Sequence, residues 1–204
     1  MIAKKEHWEN VYEQKLLTEV SWYEERPEAS LNLIADLNLP KNSAIIDIGG
    51  GDSFLVDHLL ALGYTNISVL DISAKAIERA KLRLANKAQQ VEWIVSDVLD
   101  FKPAKVYDLW HDRAAFHFLT DTKDVRSYLD KVNLSLKTGT FAVIATFAED
   151  GPEKCSGLAV RPYSEKGLGE LFSMYFEKQQ CFHTTHLTPF QIIQKFIYCS
   201  FTRK

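Results

Sequence analysis

Along the chain, short continuous apolar runs alternate with apolar stripes at helical spacing. Ile45 to Ile48 form a run of the kind that a strand buried on both faces requires, and Leu55, Leu59 and Leu62 recur behind it at the spacing of one helix face. The pair then repeats. Asn66 to Asp71 predicts a second strand, and Ser73 stands where it can cap a helix striped by Ala76, Ile77, Ala80 and Leu84, with Lys75, Glu78, Lys81 and Arg83 outside. Val91 to Asp97 predicts a third strand and Tyr107 to Trp110 a fourth. Val125, Leu129, Val132 and Leu136 stripe a helix that stops before Lys137-Thr138-Gly139, and Phe141 to Thr146 predicts a fifth strand. Upstream, Pro27 suits the first turn of a helix carrying Leu31, Ile34, Ala35 and Leu37. Downstream, a short helix near Ser164 to Met174 precedes two further strands, Phe176 to Leu187 and Phe190 to Phe201, joined across Thr188-Pro189. Alternation of this kind predicts a doubly wound α/β fold.

With 204 residues, 46% of them hydrophobic, the chain can bury a sizeable core, and no Pro, Gly or Ser-rich linker divides it. The expectation is a single domain over residues 1–204, with an N-terminal arm and helices in 1–40 and the core in 41–204. The opening Met-Ile-Ala-Lys-Lys-Glu-His-Trp has no apolar signal region, and no apolar run is long enough for a membrane span, so a cytoplasmic protein is expected. Cys155, Cys181 and Cys199 lack metal-ligand spacing and cannot all pair, which fits a reducing compartment, and no metal site is expected. A net charge of −3 without a basic block indicates no stable nucleic-acid partner. Oligomeric state is not legible.

Candidate chemistry begins where the first strand ends, at Asp47-Ile-Gly49-Gly-Gly51-Asp-Ser-Phe54. Gly49 and Gly51 let the backbone turn sharply and let a ligand approach where a Cβ would block it. The dinucleotide fingerprint wants Gly or Ala where this chain has Phe54, and the carboxylates of Asp47 and Asp52 would repel a pyrophosphate. No phosphate-cradling Gly-x-x-x-x-Gly-Lys-Ser/Thr loop occurs. Carboxylates beside the glycines suit a ligand with cationic parts, such as the amino group and sulfonium of S-adenosylmethionine. The second strand ends in Asp71, near the distance at which such folds place a carboxylate on ribose hydroxyls, and the third ends in Asp97-Val98. Strand-end and helix-cap acids of an ordinary α/β domain are the bland alternative.

On these residues the chain resembles the class I, seven-β-strand S-adenosylmethionine-dependent methyltransferases. The resemblance implies a Rossmann-like, mostly parallel sheet closed by a C-terminal antiparallel hairpin, and S-adenosylmethionine as cofactor. It also implies that Asp47 and Gly49, with Gly51 in the turn, face the methionine portion, that Asp71 with Ile72 meets the ribose, and that Asp97 and Val98 contact the adenine. The N-terminal His-Trp8-x-x-x-Tyr12 followed by Trp22-Tyr23 is similar to the arm of the branch that includes elongation factor 1A lysine methyltransferases. That similarity places Trp8, Tyr12 and Trp22 on the cofactor, where aromatic faces attract a sulfonium; stapling the arm to the core is the alternative.

His111-Asp-Arg-Ala-Ala-Phe-His117-Phe-Leu follows the fourth strand, where the acceptor should meet the methyl group. Methyltransferases of exocyclic base amines commonly carry Asn/Asp-Pro-Pro-Tyr/Phe there; its absence argues against nucleobase N-methylation. An amine or hydroxyl acceptor must lose a proton, and His111, Asp112 or His117 could receive it, with His111 also reaching the cofactor. A packed His117 and an Asp112–Arg113 ion pair are the alternatives. The chain also resembles bacterial methyltransferases of unassigned substrate that share His-Asp-Arg-x-x-Phe-His-Phe-Leu and Gly-Pro-x-x-Cys-Ser-Gly-Leu. This makes Arg113, Cys155, Arg161 and Tyr163 substrate-side candidates, the last three in a long loop after the fifth strand. The expected function is methyl transfer to a nitrogen, oxygen or sulfur acceptor of a small molecule or a protein side chain. A catalytically silent S-adenosylmethionine-binding module and a dinucleotide oxidoreductase stay open as alternatives.

Overall fold

The structure, a computed structural model, describes residues 4–204. Helices α1 (Lys4–Gln14) and α2 (Glu28–Asp36) precede strand β1 (Ala44–Ile48), followed by α3 (Leu55–Ala61), β2 (Asn66–Asp71), α4 (Ala74–Leu84), β3 (Val91–Val95) and β4 (Tyr107–Arg113). Then come α5 (Thr122–Ser135), β5 (Leu136–Phe147), the short strands β6 (Lys154–Cys155) and β7 (Leu158–Ala159), α6 (Glu165–Phe172), and the long strands β8 (Phe176–Leu187) and β9 (Ile193–Arg203).

Seven strands form one sheet in the order β3-β2-β1-β4-β5-β9-β8. The first five are mutually parallel, and β9 and β8 close the sheet antiparallel. This is the doubly wound sheet with a C-terminal hairpin that the resemblance implied. Strand β1 is buried throughout and apolar but for Asp47, because both of its faces are covered: Ile45 packs with Leu31, Leu55 and Leu59 on one side, Ile46 with Trp110 and Tyr128 on the other. Each such isoleucine contributes roughly 1.5–3 kcal/mol by leaving water. Since β2 and β4 leave β1 on opposite sides, a crevice opens beyond the carboxyl ends of these strands.

The structure alters several expected boundaries. Leu62 falls at the cap of α3, where Gly63 turns the chain at φ +87°, and is exposed. In α2, Leu33 is buried and Ala35 exposed, so the stripe is Leu31, Leu33 and Ile34. Leu136 is extended and opens β5 opposite Tyr107. Arg83 is half-buried, holding the Asp57 carboxylate and the carbonyls of Asp52 and Ser53 behind the glycine turn. Strand β3 stops at Val95, which leaves Ser96 to Val98 in the turn beyond it. Phe190 and Ile192 are exposed in the hairpin loop rather than in β9.

The extension that bears on the site is in β4, which runs through His111, Asp112 and Arg113 because β1 and β5 pair with it on both sides up to Ile48↔Asp112 and Ala145↔Arg113. The cysteines differ as well. Cys181 and Cys199 stand directly opposite each other in the β8–β9 register and are disulfide-bonded, leaving Cys155 free and buried. Spacing alone does not reveal cross-strand register, and the cysteines therefore give no support for a reducing compartment.

Candidate functional site

Strand β1 delivers Asp47 and then Gly49 and Gly51, which adopt φ of +65° and +38°. The turn is pinned to β2 by N–H donation from Gly49 and Gly50 to the Leu70 carbonyl, at 2.7 and 3.3 Å. A Cβ on Gly49 would stand 2.8 Å from Ala115 Cβ, and one on Gly51 2.7 Å from Asp71 Oδ2. Asp47, Gly49, Gly50, Asp71, Ile72, Asp97 and Val98 line one cavity at the strand ends. Gly51, expected among them, shapes the turn without lining it.

Buried carboxylates give this end of the cavity its character. Asp71 Oδ1 accepts from the Ser73 N–H at 2.8 Å. Burial, reinforced by Asp52, Asp47 and Glu9 and opposed by the Ser73 bond, pushes Asp71 up to about 7. Asp52 is also raised, mainly by burial, with Arg79 3.5 Å away; its Oδ2 has no hydrogen-bond partner among the described residues.

Helix α1 brings Trp8 and Tyr12 over the cavity. Its Glu9 docks it onto the start of α4, accepting from Ser73 Oγ at 2.7 Å and from the Ala74 and Lys75 N–H groups; a carboxylate there also complements the helix dipole. Trp8, Tyr12 and Trp22 pack ring to ring, 5.7 Å for Trp8–Trp22 and 6.0 Å for Tyr12–Trp22, and all three line the cavity. Trp8 also meets Phe118 edge-on at 5.1 Å.

Strand alternation sorts the residues at the end of β4. His111 and Arg113 face the cavity, and Asp112 faces the opposite side of the sheet. His111 is held at both nitrogens, Nδ1 2.7 Å from Asp47 Oδ1 and Nε2 2.9 Å from Ser30 Oγ. Arg113 pairs with Glu24 at 2.9 Å and donates to Tyr198 Oη and the Trp22 carbonyl. Asp112 accepts from the Ala115 and Phe116 N–H groups and from Tyr128 Oη at 2.6 Å. Its carboxylate is spent on folding the turn after β4, which removes it as a proton acceptor.

Three further candidates lie away from the cavity. His117 accepts from the Phe147 N–H, and burial, aided by Arg113, lowers it to about 3, so it is a neutral packed histidine. Tyr163 stacks on Phe116, and Arg161 lies over the Tyr163 ring while its N–H bonds the His117 carbonyl. Cys155 does reach the cavity, with its thiol pushed up by burial and 4.0 Å from Ser21 Oγ.

Other lining residues were missed in the sequence. Ser30 falls on the buried stripe of α2 beside Leu31 and Ile34, a polar residue at an apolar phase, which is a legible signal. Tyr23 and Phe118 stand inside the quoted motifs without having been singled out, and Glu24 carries no local signal. Glu24 also accepts a contact from His186 Nδ1 at 3.0 Å, and with Arg113 it forms the wall between this cavity and a second one under the β8–β9 hairpin.

A methyltransferase-domain family model matches residues 46–142, the segment that carries the glycine turn, Asp71, Asp97 and His111. That segment is a methyltransferase domain, similar to those of the class I S-adenosylmethionine-dependent methyltransferases. A curated relative, malonyl-[acyl-carrier protein] O-methyltransferase 2 of Ilyobacter polytropus, is 31% identical over 52% of this chain, which spans only 40% of that methyltransferase. EEF1A lysine methyltransferase 2 of Danio rerio is 22% identical over 71% of this chain and 69% of its own length. Among solved structures, the N-methyltransferase NodS from Bradyrhizobium japonicum in complex with S-adenosylhomocysteine superposes with a TM-score of 0.71 at 18% identity, covering 96% of this chain and 97% of that one. The residues present fit the methyltransferase cofactor: the turn and the strand-end acids Asp47, Asp71 and Asp97 line one cavity, and Asp52 offers it a buried acceptor with no hydrogen-bond partner among the described residues.

Proposed function

We propose that the protein transfers a methyl group from S-adenosylmethionine to a nitrogen, oxygen or sulfur atom of a small molecule or a protein side chain. The observation that carries this reading is the convergence, in one cavity at the switch point of the sheet, of the glycine turn, Asp47, Asp71, Asp97 and the aromatic arm. The cofactor would supply a methyl group activated by a positive sulfonium. In this reading Asp71 receives the ribose hydroxyls, Ile72 and Val98 flank the nucleoside, Asp97 meets the adenine, and Asp47 faces the ammonium. Trp8, Tyr12 and Trp22 exclude water and offer their faces to the sulfonium. Transfer is a displacement along one line, so most of the acceleration comes from orientation and desolvation.

The acceptor enters from the side of Trp22, Phe118, Arg113 and Cys155. Of the three residues expected to take a proton, His111 alone lines the cavity, and it does so with both nitrogens engaged. An acceptor that is already deprotonated, or that passes its proton to water, fits this wall best. The relatives include an O-methyltransferase and a lysine methyltransferase, so oxygen and amine acceptors form the first screen. Net charge −3 without a basic block supports an acceptor other than nucleic acid.

Calorimetric titration with S-adenosylhomocysteine, with NAD and ATP as controls, tests the proposal. Micromolar binding of the first alone is expected. A folded protein that ignores S-adenosylhomocysteine, or prefers NAD, defeats it. Labelled-methyl transfer then separates an enzyme from a silent binding module.

A further inference from the structure

Two buried carboxylates flank Gly51, and only Asp71 has been given a ligand. Asp71 ends β2, and Asp52 follows Gly51 in the turn. A Cβ on Gly51 would stand 2.7 Å from Asp71 Oδ2 and 3.1 Å from Tyr12 Oη, so the turn brings its own acid to the same corner. Asp52 is 2% exposed and Asp71 5%, and both line the cavity. The charge of Asp52 is one of those that push Asp71 up, and both acids push up the Tyr12 hydroxyl.

The two carboxylates differ in what already satisfies them. Asp71 Oδ1 accepts the Ser73 N–H at 2.8 Å. Asp52 Oδ2 is buried and has no hydrogen-bond partner among the described residues. Arg79 Nε stands 3.5 Å from it, an ion-pair distance too long for a strong hydrogen bond, while Arg79 Nη1 donates to the Tyr12 carbonyl at 3.2 Å. Arg79 does not line the cavity, so Asp52 is the member of this pair that meets a ligand. A buried carboxylate oxygen without a donor is costly, and a ligand that brings a hydrogen to it recovers that cost.

The methyl donor carries hydrogens on its ammonium, its adenine amine and its two ribose hydroxyls. Asp47 stands at the end of β1 and Asp97 beyond β3, whereas the acid beside Asp52 is Asp71. The hydrogens within reach of both are therefore those of the ribose, one on each of two adjacent carbons. We propose that Asp52 is a cofactor-binding residue that accepts one ribose hydroxyl while Asp71 accepts the other. This inference rests on the methyltransferase reading and adds a second acid to its ribose site.

The test is calorimetry on the full chain with S-adenosylhomocysteine and its 2′-deoxy and 3′-deoxy analogues. Asp52→Ala is expected to weaken S-adenosylhomocysteine about tenfold, and Asp52→Asn, which keeps an oxygen acceptor without its charge, about threefold. Against one deoxy analogue both substitutions should cost nothing further, because the hydroxyl that Asp52 accepts is already gone; Asp71→Ala should lose its effect against the other analogue. A purely structural role for Asp52, holding Arg79 and through it the arm at Tyr12, would weaken all three ligands equally. That result overturns the inference, as does full affinity in both Asp52 variants or a wild-type protein indifferent to both hydroxyls. If Asp52→Ala does not fold, Asp52→Asn decides alone, because it keeps the shape of the side chain. Wild-type protein that binds none of the three ligands defeats the methyltransferase reading itself, an outcome distinct from equal losses in the variants.

Discussion

One half of the cavity is contributed by the ends of β1, β2 and β3, each with an acid within two residues of its last; the other half is assembled from Val20, residues 22–24, the end of β4 and Cys155, backed by the hairpin that carries Tyr198 and His186. In the first half, neighbours in space are repeats of one local motif. Strand, turn and helix are each specified by residues within a few positions, and parallel pairing stacks the repeats side by side. In the second half, Glu24 meets Arg113 and His186, 89 and 162 positions further along the chain by their residue numbers. Such contacts exist only once the whole sheet has formed. Chemistry that depends on local geometry can thus be read early, and chemistry that depends on tertiary closure cannot.

The sharpest way to break the first half is at its turn. Gly51→Val places a Cβ 2.7 Å from Asp71 Oδ2 and 3.1 Å from Tyr12 Oη at a backbone φ of +38°, so S-adenosylhomocysteine binding should fall at least about a hundredfold by titration. Gly63→Ala is the matched control. It also has positive φ, at +87°, but nothing stands within 4 Å, so it should cost about 1 kcal/mol of stability and leave binding intact. Equal binding loss in both variants would mean that the turn senses general strain rather than a ligand.

Much of the fold and the cofactor half was legible for this reason. The apolar runs gave the strands, Ser73 caps α4 as expected, and Asp47, Asp71 and Asp97 all reach the cavity. The end of β4 was misread because His111-Asp112-Arg113 is polar and reads as loop, whereas pairing on both sides makes it strand. Once it is strand, alternation separates Asp112 from its neighbours, which no composition argument could do. Tyr163 was placed at the substrate side by resemblance and His117 among the proton acceptors by residue type, and their burial against Phe116 and Phe147 is a matter of long-range packing; Arg161, also placed by resemblance, is exposed over the Tyr163 ring.

That alternation sets the next expected effect. Asp112→Ala leaves the Ala115 and Phe116 N–H groups and the Tyr128 hydroxyl without their acceptor and should destabilise the protein by about 3 kcal/mol in denaturant unfolding. In the fraction that folds, affinity for S-adenosylhomocysteine should match wild type, whereas His111→Ala should weaken it. A folded Asp112→Ala protein with impaired binding would put Asp112 back at the site.

Asp71 carries a smaller effect with the opposite sign for stability. Its folded-state value is raised to about 7 from an ordinary 3.8, chiefly by burial, so the folded protein holds that proton more tightly than the unfolded chain. Between pH 4 and pH 7 the unfolded state loses its proton first, and stability falls as pH rises through this window. Asp71→Asn should therefore make the free protein more stable at pH 8, on the order of 2 kcal/mol, and the gain should vanish toward pH 4. The same variant should bind S-adenosylhomocysteine more weakly. A pH-independent stability difference would show that the carboxyl is not strained by burial.

The smallest expected effect falls on a residue that resemblance had placed with the substrate. Tyr163 is buried, stacks on Phe116 at 5.2 Å, and its hydroxyl has no partner among the described residues. An unpaired buried hydroxyl favours the unfolded state, where water satisfies it. Tyr163→Phe keeps the ring and removes that cost, so melting should shift by no more than a degree or two, upward if at all, with cofactor affinity unchanged. Turnover on the true acceptor is the discriminating readout. If it drops while stability and cofactor binding hold, the hydroxyl meets the substrate, and the acceptor half extends past Phe116; if it holds, the loop after β5 serves to pack the wall that Arg113 and Phe118 present to the cavity.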